Sequence, residues 1–514
     1  MSIKNSTIIT IVSIFLLASC CNHADKNQMT AKQIPLEDFF KNPEKTSYQI
    51  SPDGKYYSYM APYENRMNVF VQEKGSDEII QLTAETDRSV AGYFWPNSER
   101  ILYLKDTGGD ENYKLYGINI DSTNAIAYTE FDGVRTQIID GLPDIPNEVI
   151  IGLNKRNPQV FDPYRLNLET GEMEMLAENP GNIQGWMFDH DGKLRIALAI
   201  VDGVNVSLLY RETEADEWES VLTTSFKDNL SPEFFTFDNK NVIATSNLNR
   251  DKSAVVEFDI ANGKEIKLLY ENENYDVSSV GYSEKRKVIT SANYTSSKAE
   301  KHFFDKQHED LYKRLEKELG DYEIAITDAN KNEDVYIIRT YSDRSLGAYY
   351  IYDLNSDKLE KITDVSPWID ENEMANVFPV TYNSRDGLTI HAYLTLPKGY
   401  TPETAKNLPT VINPHGGPWA RDGWGFNPEI QFLANRGYAV FQMNFRGSTG
   451  YGKKFWEASF KKWGLEMQDD ITDGTNWLIK KGIADPNRIA IYGASYGGYA
   501  TLMGLVKEPE LYTA

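Results

Sequence analysis

The sequence predicts a β-propeller of about seven blades followed by a domain of alternating strands and helices. Three observations support this prediction: a strand unit that recurs about every 47 residues, a change of composition near residues 366–378, and a Gly-x-Ser-x-Gly motif at residues 493–497. A length of 514 residues suggests more than one domain. The 32 Tyr and 22 Phe favour a β-rich structure, because aromatic side chains fit half-buried pleated surfaces.

Residues 1–20 have the features of a bacterial lipoprotein signal peptide. Lys4 supplies a positive charge, and the apolar run 8–18 is shorter than the roughly 20 residues that span a membrane. The run ends in LASC at residues 17–20, which resembles the site where a signal is cleaved before a cysteine that is then acylated. We therefore expect lipid attachment at Cys20 and export to the periplasmic side of a bacterial membrane or to the outer membrane. A plain secretory signal with an incidental cysteine is the alternative.

The two cysteines, Cys20 and Cys21, both lie near the end of this segment. The sequence after them therefore predicts no disulfide, no cysteine-based metal site and no cysteine nucleophile. Residues 21–39 are polar and are predicted to form a tether.

Residues 40–368 are predicted to form the propeller. Short strands follow turn sequences such as SPDGK at residues 51–55 and DHDGK at residues 189–193. A strand followed by a polar turn also recurs, and the residues after four such strands are Asp121, Glu169, Ala261 and Asn355, so the spacings are 48, 92 and 94 residues. Weaker matches to the same strand unit near residues 72 and 211 fall at further multiples of the repeat length. Repeats of this length built from several strands are typical of propeller blades, and a pair of unrepeated β-sandwiches is the alternative.

One segment of the propeller region breaks the pattern. Residues 298–319 are charged, with apolar side chains at near-helical spacing. We expect a helical insertion in a late blade that packs on the rim of the propeller, with a lid over the active site as the less favoured alternative.

Residues 369–514 alternate strands and helices, which predicts a mostly parallel sheet covered by helices. Strands are expected at 388–396, 408–413 and 438–443, helices at 430–436 and 470–480, and a last apolar strand from Ile489. That strand enters GASYG at residues 493–497, and a helix-like segment follows. This order of strand, sharp turn and helix is a nucleophile elbow, which predicts an α/β-hydrolase domain with Ser495 as the nucleophile.

Ser495 needs hydrogen-bond donors for the oxyanion that forms when it attacks a carbonyl group. The backbone N–H of Tyr496, the residue after the serine, is one predicted donor. The second is expected from the HGGP loop at residues 415–418, where Gly417 is preferred over its neighbour Gly416. His415 is expected to shape this loop rather than act as the base, because the base of this fold follows the nucleophile in the sequence.

Four motifs in this order closely resemble the prolyl oligopeptidase family of serine peptidases, in the branch of acylaminoacyl peptidases and bacterial dipeptidyl peptidases. The motifs are NPHGGP at 413–418, NFRGSTGYG at 444–452, DPNRI at 485–489 and GASYGGY at 493–499. The resemblance implies that Ser495 is the nucleophile, that Tyr496 and Gly417 are oxyanion donors, and that the propeller restricts entry to short peptides. Arg446 is expected to order its loop through pairs with carboxylates rather than to contact substrate.

The sequence departs from the family after Ser495. Family members place the catalytic Asp and His later in the chain, whereas only 19 residues follow this serine and none is Asp or His. We therefore expect a truncated reading of a longer gene, an incomplete α/β-hydrolase domain with an exposed apolar sheet edge, and a polypeptide that is catalytically incompetent by itself. Alternatives to a peptidase are an esterase on the same fold and a non-enzymatic propeller that binds partners.

The net charge of −23 argues against nucleic acids and anionic membrane surfaces as partners, because such a chain repels phosphates. The expected partners are oligopeptide substrates, with membrane contact only through the lipid anchor. No metal or organic cofactor is predicted, and the sequence leaves the oligomeric state open.

Overall fold

The computed structural model describes residues 31–514. The predicted signal peptide (1–20), the lipid-attachment residue Cys20 and the first part of the predicted tether lie outside the described residues.

Seven antiparallel sheets follow one another along the chain and form the seven blades of a β-propeller. Blade 1 contains β1 (Thr46–Ile50), β2 (Tyr56–Tyr63), β3 (Arg66–Glu73) and β4 (Ile79–Gln81). Blade 2 contains β5 (Gly92–Asn97), β6 (Arg100–Lys105), β7 (Lys114–Asn119) and β8 (Ile126–Ala127). Blade 3 contains β9 (Thr136–Asp140), β10 (Glu148–Leu153), β11 (Asp162–Asn167) and β12 (Met173–Met175). Blade 4 contains β13 (Ile183–Phe188), β14 (Leu194–Val201), β15 (Asn205–Tyr210) and β16 (Glu219–Thr224). Blade 5 contains β17 (Leu230–Phe235), β18 (Val242–Ser246), β19 (Ala254–Asp259) and β20 (Lys264–Tyr270). Blade 6 contains β21 (Val277–Ser283), β22 (Val288–Thr295) and β23 (Ala299–Phe303). Blade 7 contains β24 (Glu323–Ala329), β25 (Val335–Tyr341), β26 (Ala348–Asp353) and β27 (Lys358–Asp364).

The repeat in the sequence corresponds to one strand position in the blades. The four strong matches fall on β7, β11, β19 and β26, each the third strand of its blade, and the two weaker ones fall on or beside β3 and β15. The propeller prediction is therefore confirmed. Tyr48 and Tyr59 of blade 1 pack with Ile337 and Ile351 of blade 7, so apolar burial closes the ring between its first and last blades.

Blade 6 has three strands instead of four, and the predicted insertion covers its third strand and the helix that follows it. The segment forms strand β23 followed by α1 (Lys306–Leu319), so the predicted helix is correct only from Lys306 onward. Asp305 caps this helix by accepting the backbone N–H of His308. Leu311 and Leu315 pack against Ile338 and Tyr352 of blade 7, so the helix lies against the propeller, as favoured over a lid.

The C-terminal domain is a five-stranded sheet in the order β28-β29-β31-β30-β32. Its strands are β28 (Asn376–Asn383), β29 (Thr389–Leu396), β30 (Leu408–Ile412), β31 (Ala439–Asn444) and β32 (Ala484–Ile491). Its helices are α2 (Pro428–Asn435), α3 (Lys453–Glu457), α4 (Glu466–Lys480) and α5 (Tyr496–Lys507). A short helix (Leu36–Phe40) and a 3-10 turn (Glu371–Glu373) complete the described elements. None of the helices within residues 31–514 combines the length and apolar character needed to cross a bilayer.

The prediction of a mostly parallel sheet is wrong for the first strands. β28 pairs antiparallel with β29, and β29 pairs antiparallel with β31, whereas β30 pairs parallel with β31 and β32. The tight turn at residues 384–388 joins β28 directly to β29, and a connection that short permits only antiparallel pairing.

The edge of β32, predicted to be exposed, is partly covered. The backbone N–H of Thr513 donates to the Ile489 carbonyl at 2.7 Å, and the N–H of Ile491 donates to the Ala514 carbonyl at 2.9 Å. Part of the backbone at this edge is therefore paired with residues 513 and 514.

The described part of the predicted tether contacts the C-terminal domain instead of forming a free polar linker. Ile34 and Phe39 pack against Met374 and Phe432 of the C-terminal domain. Asn435 also accepts the backbone N–H of Ile34 at 3.0 Å. The segment that precedes the propeller is thus bound to the C-terminal domain, because its apolar side chains have a surface on which to be buried.

Loops of blades 5 and 6 contact the segment after β31. The Asp276 carboxylate accepts the backbone N–H of Gly452 at 2.9 Å, and the Asp251 carbonyl accepts that of Lys453 at 2.8 Å. The Arg421 guanidinium donates to the Thr295 carbonyl at 3.2 Å. The propeller therefore adjoins the side of the C-terminal domain that carries the HGGP and NFRG loops.

Candidate active site around Ser495

Ser495 lies in the sharp turn between β32 and α5. Its backbone has a φ of 55° and a ψ of −123°, a conformation that L-residues rarely adopt and that stores strain. The side chain is exposed, and its hydroxyl makes no hydrogen bond with any residue of 31–514. The turn therefore presents a free hydroxyl above the sheet, as a nucleophile elbow does.

Gly493 and Gly497 are required because the HGGP loop crosses the elbow at close range. A Cβ on Gly493 would lie 2.7 Å from the Pro414 carbonyl oxygen, and one on Gly497 would lie 2.2 Å from the same atom. The Tyr492 backbone N–H donates to the Ile412 carbonyl at 2.9 Å, which fixes the loop and the elbow to each other. The spacing of the two glycines is thus explained by backbone contact.

The structure brings the HGGP loop to the serine. A Cβ on Gly416 would lie 3.5 Å from the Ser495 Cβ and 4.0 Å from its hydroxyl oxygen. Gly417, exposed and at a φ of 118°, follows directly in this loop. The assignment of the Tyr496 and Gly417 N–H groups as oxyanion donors stays a prediction.

His415 has the structural role that the sequence suggested. Its Nδ1 donates to the Gly416 carbonyl at 2.7 Å, its Nε2 faces the Ser448 hydroxyl at 2.9 Å, and its ring stacks on Phe445 with centroids 4.3 Å apart. Burial lowers the pKa of His415 to about 4, although the Gly416 carbonyl favours the protonated form. A neutral imidazole therefore joins the HGGP loop to the NFRG loop.

The pKa of His415 predicts a pH dependence of stability. The unfolded chain binds a proton near pH 6.5 and the folded chain only near pH 4, so the free energy of unfolding should fall as the pH drops between these values, by up to about 3 kcal/mol. Urea unfolding of the wild type and of His415→Gln from pH 7.5 to 4.5 measures this contribution. The stability gap between the two proteins should narrow toward low pH, and a gap independent of pH would show that His415 is not held neutral.

The other histidines of the described residues do not supply a base for Ser495. His391 lies in β29 and stacks on Tyr451 with centroids 4.8 Å apart, and burial followed by the charge of Arg421 lowers its pKa. His190, His302 and His308 lie in the propeller region. Within residues 31–514, Ser495 therefore has no hydrogen-bonded histidine.

Arg446 orders its loop through carboxylates, as expected. Its backbone N–H and Nε donate to one Asp470 oxygen at 2.9 and 2.8 Å, and its Nη2 donates to the other at 2.7 Å. Its Nη1 also donates to Asp386 at 2.8 Å. Asp470 is fully buried on α4, so this bidentate pair anchors the NFRG loop to the helix beneath it. The sequence predicted carboxylate partners for Arg446 but did not identify them.

Comparison with known proteins decides the family. The family model described as "Prolyl oligopeptidase family" matches residues 424–514. Dipeptidyl aminopeptidase BIII of Pseudoxanthomonas mexicana is 32% identical over 487 residues, which cover 93% of this chain and 70% of that protein. The chain belongs to the prolyl oligopeptidase family. By family and by these relatives it is a serine peptidase.

A further relative and two solved structures are also similar to this chain. Dipeptidyl peptidase family member 6 of Caenorhabditis elegans is 28% identical over 519 residues, covering 93% of this chain and 69% of that protein. The crystal structure of puromycin hydrolase superposes with a TM-score of 0.69 at 17% identity, over 94% of this chain and 78% of that one. The acylaminoacyl peptidase of Pyrococcus horikoshii gives a TM-score of 0.64 at 15% identity, over 93% and 78% of the two chains. The two solved structures establish the shared propeller and hydrolase fold.

Proposed function

We propose that the protein is an exported serine peptidase that cleaves short peptides through an acyl-enzyme formed on Ser495. The observation that carries this proposal is the strained, exposed position of Ser495 beside the HGGP loop. In the first step the serine oxygen attacks the peptide carbonyl carbon, and the developing oxyanion accepts the N–H groups of Tyr496 and Gly417. Each such donor contributes roughly 3 kcal/mol to stabilisation of the transition state.

Short peptides are the proposed substrates because the propeller adjoins the catalytic face. Propeller loops contact residues 450–454, and a cavity of about 660 Å³ lies between the domains. A cavity of this size accepts a few residues of peptide rather than a folded protein. The relatives named as dipeptidyl peptidases support the same substrate class.

The serine must lose its proton as it attacks, and a histidine must accept that proton. Since no histidine of residues 31–514 is bonded to Ser495, we further propose that a polypeptide consisting of residues 1–514 is inactive by itself. A base that follows the serine in sequence, as in other α/β-hydrolases, is what the reaction requires.

Replacement of Ser495 tests the proposed nucleophile. In the protein produced from its own gene in its own cell, Ser495→Ala should lower kcat for short peptide amides by a factor on the order of 10⁶. Tyr492→Phe, which keeps the elbow and changes an exposed side chain, should retain activity. Hydrolysis by the Ser495→Ala protein at the wild-type rate would reject Ser495 as the nucleophile, and hydrolysis of simple esters alone would favour an esterase.

Export and lipid attachment complete the proposal. They are supported by the charge of Lys4, the apolar run 8–18 and the LASC sequence before Cys21. Mass spectrometry of the mature N-terminus should find an acylated Cys20, and Cys20→Ser should abolish membrane association. A free N-terminus at another residue would reject the lipoprotein assignment.

A further inference from the structure

Four aromatic side chains form a cluster between the propeller and the HGGP loop. The cluster, here named the aromatic box, consists of Phe226 from the propeller and Trp419, Trp456 and Phe460 from the hydrolase domain. Trp456 and Phe460 meet edge to face at 4.6 Å, and Trp419 lies 5.2 Å from Trp456 and 5.7 Å from Phe460. Phe226 completes the box at 5.9 Å from Phe460.

Two members of the aromatic box still face solvent. Trp419 is 52% exposed and Phe226 is 48% exposed, although each already contacts other rings. The Trp419 indole N–H donates to the Ser459 hydroxyl at 3.1 Å, which fixes the orientation of its ring. A rigid aromatic surface with half of its area uncovered gains stability when an apolar group is buried against it.

Trp419 joins the aromatic box to the HGGP loop. Trp419 follows Gly417 by two residues, and a Cβ on Gly417 would lie 2.7 Å from the Trp419 backbone nitrogen. A Cβ on Gly416, the residue before Gly417, would lie 3.5 Å from the Ser495 Cβ. Trp419 therefore lies within three residues of the backbone that faces Ser495, and this short separation is the basis for placing the aromatic box near a bound peptide.

Ionic contacts hold the propeller member of the box in place. Phe226 lies in the loop between blades 4 and 5, where the Lys453 ammonium donates to Asp228 at 2.7 Å. Lys227 lies 3.3 Å from the Glu457 carboxylate on α3. These two pairs bind the loop to the hydrolase domain, so Phe226 is held against Trp456 and Phe460.

The cavity between the domains continues from the aromatic box. Phe226 and Trp456 form part of its wall, and polar groups of Arg421 and Ser253 lie elsewhere in its lining. The Ser253 hydroxyl is buried and has no hydrogen-bond partner among the described residues. An apolar wall with a few polar groups suits a peptide, which carries apolar side chains on a polar backbone.

We propose that the aromatic box is the subsite for an apolar, preferentially aromatic, side chain of the peptide next to the bond that Ser495 attacks. This inference rests on the proposed peptidase function and names the substrate class of that site. The propeller contributes directly to specificity through Phe226, in addition to limiting the size of the substrate.

Binding of matched peptides tests this subsite without catalysis. The protein is produced from its own gene with Ser495→Ala, and trialanine amide is compared by calorimetry with three peptides that carry one Phe at each position in turn. One Phe peptide should bind at least tenfold more tightly than trialanine amide. Phe226→Ala and Trp419→Ala should each remove most of that preference, whereas Trp419→Phe should keep it.

Phe304→Ala is the matched control, because Phe304 is a partly exposed phenylalanine of blade 6 outside the aromatic box. This variant should keep the full preference. An absent Phe preference, or a preference that survives both alanine variants, overturns the subsite. Because Ser495 is already replaced in these proteins, such a result leaves the nucleophile assignment standing, and that assignment fails only by the hydrolysis test.

Discussion

Asp470→Ala is expected to lower the free energy of unfolding by about 3–5 kcal/mol. Asp470 is fully buried and accepts three hydrogen bonds from Arg446, whose side chain is only 7% exposed. Its removal leaves a buried guanidinium with Asp386, a half-exposed carboxylate, as its remaining charged partner. Urea unfolding of the purified protein at pH 7.5 measures the loss.

Asp473→Ala on the same helix is the control. Asp473 pairs with Arg385, whose side chain is half exposed, so solvent screens this pair and its loss should cost less than the loss of the buried pair. An equal loss of unfolding free energy in the two variants would show that burial of the Arg446–Asp470 pair adds nothing to the cost of breaking it.

Gly497→Ala is expected to destabilise the protein by about 3 kcal/mol or more and to abolish the reactivity of Ser495. The added Cβ would lie 2.2 Å from the Pro414 oxygen and 3.2 Å from the Pro414 carbonyl carbon. Both are backbone atoms of the residue that precedes the HGGP loop, so the elbow and this loop would have to separate. The thermal midpoint and the rate of Ser495 labelling report the two effects.

Gly498→Ala serves as the comparison for this change. Its added Cβ would meet only the Gly493 carbonyl oxygen, at 3.3 Å, and alanine favours the helix. We expect near-wild-type stability. A Gly497→Ala protein as stable as Gly498→Ala would mean that the close approach of the HGGP loop is not required.

The propeller could be predicted because its blades repeat the same local pattern. In six of the seven blades the third strand matches the repeat in the sequence, and the spacing of these matches predicted about seven blades. Blade 6 could not be predicted in full, because residues 299–303 carry charged side chains at helix-like spacing and become a strand by pairing with β22. Pairing between strands overrides local propensity there.

From the sequence, residues of the candidate site could be predicted only where they lie in contiguous motifs. Ser495, Tyr496 and Gly417 follow from GASYG and HGGP, whose glycines reflect backbone contact. The partners of Arg446 and the aromatic box depend on contacts between distant segments. Phe226 belongs to a propeller loop with no motif of its own, so nothing in the sequence joins it to Trp419.

Covalent labelling by a fluorophosphonate probe identifies the nucleophilic side chain. We expect the protein produced from its own gene in its own cell to be labelled at Ser495, and a polypeptide of residues 1–514 to react no faster than its Ser495→Ala variant. Peptide mapping by mass spectrometry gives both results. Labelling at another residue would contradict the proposed nucleophile, and rapid labelling of Ser495 in residues 1–514 would contradict the requirement for a base outside the described residues.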